Sequence, residues 1–324
     1  MNTKIRRLKK KNFSNTFIII FAVVLNIIVS LLMGHWSYSW LPIQASEAAH
    51  YVDNLFAFET SIGTFIFLGC TGTMAWILVF NRAPKYDESN GEPLEGNLKL
   101  EIIWTIVPLI LVLAISTYST RVNYKLENLG SKIKYDFGAE VPFVEEKKVF
   151  DYGPIDVISR QWNWEFVYPN GIHSSELHLP INKRSNFRLI TEDVIHSFYV
   201  PAFRLKQDII PGSVITYSLT PTKEGVFRLR DAMFSGAYFS QNQTNVIVES
   251  EDVFNKWIKE TVKKEPQNGL NPAGRLYEKR LKNGNRGWAT VKPAPDPKVN
   301  EVGSEARPHA VSYTHLRAHE TLIY

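Results

Sequence analysis

Three uncharged apolar runs occupy the first third of the chain. Residues 16–34 (TFIIIFAVVLNIIVSLLMG), 61–80 (SIGTFIFLGCTGTMAWILVF) and 102–118 (IIWTIVPLILVLAISTY) contain no Asp, Glu, Lys or Arg. A helix crossing a hydrocarbon core needs about 20 apolar residues, with roughly 17 as the lower limit. Buried helices of water-soluble proteins rarely stay uncharged for so long, so the pattern predicts membrane helices. The first run also suits an export signal. It exceeds the usual ~7–15-residue signal core, and cleavage near QASEAAH stays open as an alternative.

Beyond residue 118 the pattern changes to short runs rich in β-branched and aromatic residues. IDVISR, WNWEFVY, SELHLP, NFRLIT and NVIVES are separated by turn residues, which is the signature of strands. Tyr168-Pro169-Asn170-Gly171 marks a hairpin, since Asn-Gly tolerates the positive φ of a tight primed turn. Strands at this spacing predict a β-sandwich or barrel over residues 151–250. SEDVFNKWIKETVKK follows with helical spacing and Ser250 or Asp252 as its cap. The expected domains are a basic arm with signal or first membrane helix (1–34), a membrane hairpin region (35–120), a linker (121–150) and an exported β domain (151–262). Residues 263–308 are rich in Pro, Gly, Asn and Lys and predict an extended tail. Residues 309–324 break in composition and resemble translated adapter read-through. As a sequencing artefact they are set aside, and with them His309, His315 and His319.

Charge fixes the orientation. The chain carries a formal +5, but six basic residues (Lys4, Arg6, Arg7, Lys9, Lys10, Lys11) precede the first run, so the rest is close to neutral. A basic flank followed by a segment without Lys or Arg (35–60) holds the N-terminus in the cytoplasm. The loop 81–101 is then cytoplasmic and everything beyond residue 118 is outside. The arm is a membrane flank and not a nucleic-acid surface. The one cysteine, Cys70, lies inside the second apolar run. A single thiol supports neither an intrachain disulfide nor a thiolate-bridged metal pair.

Four further stretches carry a family resemblance: LEIIWTIVPLILVL (100–113), RQWNWEFVYPNG (160–171), SELHLP (175–180) and TEDVIHSFYVPAFRLKQDIIPG (191–212). In order and spacing they resemble subunit II of haem-copper terminal oxidases, closest to the cyanobacterial type. The resemblance implies a membrane α-helical hairpin followed by an all-β cupredoxin-like sandwich. In copper-bearing members the loop reads C-x-E-x-C-G-x-x-H-x-x-M, and its two thiolates bridge a dinuclear copper centre. Soft sulfur ligands stabilise Cu(I), while imidazole serves both redox states. EGVFRLRDAMFSGAYFSQNQ lies on that loop without a gap. The two cysteine positions hold Asp231 and Ser235, and the Glu position holds Met233. The histidine and methionine positions hold Phe239 and Asn242. Only the upstream histidine remains, as His196. Phe239, large and apolar, is expected to fill the volume of the metal.

The histidines offer little else. His173 and His178 have opposite parity, so on one continuous strand they face opposite ways, and His196 fits a hydrogen-bonded structural residue better than a ligand. Two more residues carry family roles. Glu101 matches a glutamate linked to proton uptake from the cytoplasm, and equally suits an interfacial carboxylate at a helix N-terminus. Trp162 matches the tryptophan that accepts electrons from cytochrome c. Without copper beneath it, Trp162 suits packing in a sandwich core.

The resemblance implies a complex that reduces O2 to water with proton translocation, in which this chain binds no cofactor. Haem and copper are expected in subunit I. The implied partners are subunits I and III, membrane lipid, and quinol or a soluble carrier as donor, with no nucleic acid. The expected location is a bacterial plasma or thylakoid membrane, with the C-terminal domain periplasmic or lumenal. Loss of the copper ligands points to a quinol oxidase. A cytochrome c oxidase-like complex using another electron route is the first alternative, and a non-redox cupredoxin-like binding or assembly module is the second.

Overall fold

The computed structural model describes residues 2–80, 82, 86, 96–128, 151–284 and 291–304. Two compact units make up the chain, one helical and one built on strands.

The helical unit is formed by α1 (Asn2–Trp36), α2 (Ala49–Phe80) and α3 (Leu98–Asn128). Each contains one of the apolar runs, and stretches of 25, 32 and 29 residues are long and apolar enough to cross a membrane. α1 and α2 meet at small residues. A Cβ on Gly34 would stand 1.8 Å from Oγ of Ser61 and 2.7 Å from the carbonyl of Ala57, and Asn26 donates its side-chain amide to the carbonyl of Phe65 at 3.0 Å. Small residues let membrane helices approach closely enough for dispersion and interhelical hydrogen bonds to hold them. α3 is capped by Asn97, whose Oδ1 accepts from the N–H groups of Lys99 and Leu100 at 3.1 and 3.3 Å. α3 runs to Asn128, into the segment expected as linker. Most of the loop 81–101, the linker from 129 to 150, and residues 305–324 lie outside the described residues.

The strand unit is a two-sheet sandwich. Its strands are β1 (Asp151–Arg160), β2 (Asn163–Val167), β3 (His173–Ser174), β4 (Leu177–Pro180), β5 (Arg184–Thr191), β6 (His196–Val200), β7 (Leu205–Ile209), β8 (Ile215–Leu219), β9 (Gly225–Asp231) and β10 (Gln243–Glu249). One sheet has the order β3-β2-β1-β5-β8 and the other β4-β10-β9-β6-β7. The β1–β5 and β10–β4 pairs are parallel and the remaining pairs antiparallel. The alternating pattern explains the layering. Ile155, Val157, Phe166, Phe187 and Leu189 of one sheet face Leu177, Phe198, Val200, Leu229 and Val246 of the other in a single buried cluster. Period-2 side chains from two inner faces form such a core. Residues 42–50 belong to this unit. Ala45 is fully buried in its core, and its N–H donates to the carbonyl of Ala202 at 3.0 Å.

Three expectations change. The hairpin at residues 168–171 closes with the N–H of Gly171 on the carbonyl of Tyr168 at 2.9 Å, and of its residues only Gly171 has positive φ (79°). Pro169 presets the negative φ of an ordinary turn at its position, so the turn is not primed. His173 and His178 do not share a strand: β3 and β4 are separate and lie in different sheets.

The third change is the tail. After α4 (Glu251–Thr261), residues of the expected extended segment form β11 (Gln267–Asn268), α5 (Pro272–Lys282) and β12 (Lys298–Val299). β11 pairs with β12, Ala273 and Val299 are fully buried, and Ser304 donates its N–H to Glu176 at 3.0 Å. Polar composition hid this. The few apolar residues of α5 are enough because an apolar patch awaits them on the sandwich.

Candidate functional site

One end of the sandwich gathers the start of β6, the end of β9 and the residue preceding β10. His196 opens β6, where the chain returns from the bend after β5, and is fully buried. Asp231 closes β9, opposite Phe198 in the ladder, and its side chain has no exposure. Nδ1 of His196 lies 2.6 Å from Oδ2 of Asp231, and Nε2 lies 2.9 Å from Oδ1 of Asp193. A carboxylate only accepts, so a carboxylate at each ring nitrogen favours the imidazolium form. Burial by itself would lower the His196 pKa, but the bonds to Asp193 and then Asp231 outweigh it and raise the pKa above the ordinary value. For Asp193 burial acts upward, while bonds from His196 and from the N–H groups of Val194 and Gln161 outweigh it and hold the carboxyl below its usual range.

Asp231 is saturated with donors. Oδ1 accepts from the N–H groups of Ser197 at 2.9 Å and Met233 at 3.1 Å. Oδ2 accepts from Oγ of Ser235 at 2.9 Å and from Nδ2 of Asn242 at 3.2 Å, besides His196. Buried charges persist only when paired and hydrogen-bonded in this way. Asn242 is fully buried, and its Nδ2 also reaches Oγ of Ser159 at 3.4 Å. The carbonyl of Asn242 accepts from the Trp164 indole at 3.1 Å.

Of the six loop and ligand positions read from the sequence, the structure brings His196, Asp231, Ser235 and Asn242 together. Met233 contributes its backbone N–H. Phe239 does not fill the centre. It sits half-buried at the start of a short 3-10 turn (Phe239–Gln241), with its ring 5.3 Å from that of Phe234 and against the Trp162 cluster. The turn carries Phe239 outward and delivers Asn242 inward, so the amide and not the phenyl ring occupies the middle.

Trp162 is fully buried, and its indole N–H is shared between the carbonyl and Oγ of Ser235 at 3.2 and 3.1 Å. It packs with Tyr238 (ring centroids 5.2 Å apart) and with Ala273, Leu276 and Tyr277 of α5. Gly236 is required here: with φ at 119°, a Cβ would lie 2.8 Å from Cζ2 of Trp162. Sequence reasoning missed Asp193, Ser159, Gly236 and the cover provided by α5. For Asp193 a signal existed, since a carboxylate three residues before a histidine across a bend can reach its ring.

The donor set does not fit a thiolate-bridged copper pair. It offers one imidazole with both nitrogens engaged by carboxylates, carboxylates saturated by N–H and O–H donors, and Oδ1 of Asn242, a hard oxygen buried without a partner. No thiol is among the six positions, and Cys70 lies in α2. Among the described residues no group of three or more His, Cys, Asp or Glu is arranged to hold a metal ion.

The family model for the transmembrane domain of cytochrome c oxidase subunit II matches residues 34–122, and that for its periplasmic domain matches residues 172–250. The cytochrome c oxidase subunit 2 of Thermostichus vulcanus is 34% identical over 265 residues, covering 71% of this chain and 80% of its own length. The chain belongs to the subunit II family of haem-copper oxidases. Its relatives carry two kinds of name. Cytochrome c oxidase subunit 2 of Synechocystis sp. is 29% identical over 260 residues, 71% of this chain and 78% of that protein. Quinol oxidase subunit 2 of Bacillus subtilis is 26% identical over 215 residues, 64% of this chain and 62% of that protein. As in other subunits II, transmembrane helices precede a periplasmic domain, here a two-sheet β-sandwich.

Glu101 belongs to the helical unit. It lies in the first turn of α3, exposed, four residues after the capping Asn97, to whose carbonyl its N–H donates at 3.0 Å. A carboxylate in a first turn is favoured by the helix dipole.

Proposed function

We propose that this chain is the copper-free subunit II of a quinol-type oxidase. Electrons then reach the haem of subunit I from a membrane-dissolved quinol without passing through this chain. The complex, completed by subunits I and III, reduces O2 to water and translocates protons, with its haem and copper in subunit I. This chain is a scaffold that anchors the complex, caps its outer face and supplies Glu101 for proton uptake.

The observation that carries this reading is the His196–Asp231 pair: at residues that the family resemblance assigns to ligand positions, Asp231 accepts from five donors, His196 among them. The burial of Trp162 beneath α5 supports it further, because a soluble donor needs an exposed surface relay and a lipid-dissolved donor does not. Two relatives that align with 71% of this chain are named cytochrome c oxidase subunit 2, which favours a second reading, a soluble donor reaching subunit I by another route. Turnover of the purified complex separates the two. Oxygen consumption with a reduced quinol and none with reduced cytochrome c is expected; rapid turnover with cytochrome c alone overturns the quinol assignment.

A further inference from the structure

Beside the Trp162 cluster, and outside the His196 network, a cavity of about 410 Å³ opens between β9, the 3-10 turn and α5. Its chemistry is one-sided. Arg228 of β9, Arg275 and Lys279 of α5, and Ser240, Gln241 and Gln243 line it, and among the described residues no carboxylate does. The helix contributes by its periodicity: Pro272, Arg275, Leu276 and Lys279 are spaced i, i+3, i+4 and i+7, one face of a helix.

Two lining residues hold buried side-chain atoms without a partner, Nε of Arg228 and Oε1 of Gln243. One is a donor and the other an acceptor. Leaving such groups unmade is costly, more so for a charged one. Arg228 is further burdened by burial and by the neighbouring Arg230, which together lower its pKa. Three cations lining one cavity cost Coulomb energy that a bound anion removes, and guanidinium groups match the paired oxygens of phosphoryl groups.

We propose that this cavity binds a small phosphorylated anion, with the phosphoryl group held by Arg228, Arg275 and Lys279. The orphaned pair selects within the class of tetrahedral anions. A phosphoryl group near neutral pH keeps an exchangeable O–H that Gln243 accepts, while its other oxygens accept from Arg228. Sulfate, an acceptor only, leaves Gln243 unanswered. The size suits a molecule larger than a lone ion, within the roughly 300–1,000 Å³ range of small-molecule sites. The mainly polar lining excludes an apolar ligand.

Titration calorimetry of the purified full chain in detergent, at fixed ionic strength, tests this with pyrophosphate, inorganic phosphate and sulfate as probes. The expected result is saturable binding of one pyrophosphate per chain, weaker binding of phosphate, and sulfate weaker than phosphate by several-fold. Both Arg275 and Lys279 are exposed, so Arg275→Gln with Lys279→Gln should leave the fold intact, checked by an unchanged thermal midpoint, and weaken pyrophosphate at least about tenfold. Arg275→Lys with Lys279→Arg should restore most of the affinity. Heats that do not saturate, or affinity unaltered in the double glutamine variant, overturn the site. Equal affinity for sulfate and phosphate overturns the role given to Gln243.

Discussion

Nδ1 of His196 and Oδ2 of Asp231 stand 2.6 Å apart in a space closed to solvent on both side chains. The pair joins the first residue of β6 to the last of β9, so it ties the strand ends of one sheet where the family's loop begins. Removing Asp231 strands the donors of Ser197, Met233, Ser235 and Asn242 and leaves His196 with Asp193 alone, a loss of about 3–5 kcal/mol. Asp231→Ala is therefore expected to destabilise the full chain by about that amount. Ser235→Ala, which removes one donor of several, should cost about 0.5–1.5 kcal/mol. Denaturant unfolding in detergent checks both, and equal losses for the two variants contradict the ranking.

The same pair makes stability depend on pH. His196 is held above its ordinary value, so its contribution is complete below pH ~6.5 and is lost as pH rises through the elevated value. Asp193 is held below its ordinary value, so its contribution is present above pH ~3.9 and is lost as pH falls through the lowered value. The thermal midpoint should decline as pH rises above about 6.5 through the elevated value, and His196→Gln should flatten that decline. An unmodified chain whose midpoint stays constant from about pH 6 to about pH 9 is the opposite result.

Gly236 tests the seat of Trp162. Gly236→Ala adds a Cβ 2.8 Å from the indole at a φ of 119°, whereas Gly171→Ala at a φ of 79° meets nothing within 4 Å. Both carry an unfavourable backbone, of order 1–3 kcal/mol, but only the first also displaces a buried ring. The thermal midpoint should fall further for Gly236→Ala. A larger loss for Gly171→Ala would show that the indole yields freely.

The membrane helices were legible because water-soluble folds seldom bury an uncharged run of this length, and the sandwich because short runs rich in β-branched and aromatic residues recur between turn residues. The departures from the copper-loop pattern at residues 231, 235 and 242 can be read in the sequence. The hydrogen-bond network at those positions cannot. That Asn242 turns inward and Phe239 outward depends on a 3-10 turn whose sequence, Phe-Ser-Gln, has no distinctive signal. α5 was hidden for a related reason: its docking rests on Ala273, Leu276 and Tyr277 meeting Trp162 and Tyr238, contacts far apart in the chain that outweigh a polar composition.

Glu101 divides the proton role from the anchoring role. If it serves proton uptake, Glu101→Ala slows oxygen consumption of the assembled complex several-fold while haem content and subunit composition stay unchanged. Full turnover in an assembled variant reduces Glu101 to the first-turn carboxylate of α3.

The proposal that hydrogen bonding replaces copper at the His196–Asp231 end of the sandwich is tested most directly by paramagnetic resonance of the oxidised, purified complex. Copper is quantified on the same sample. The expected spectrum has no seven-line hyperfine pattern, and the sample holds no copper beyond that assigned to subunit I. A seven-line spectrum of a delocalised copper pair, with two further coppers that are lost when Asp231 and Asn242 are replaced, is the result that would refute it.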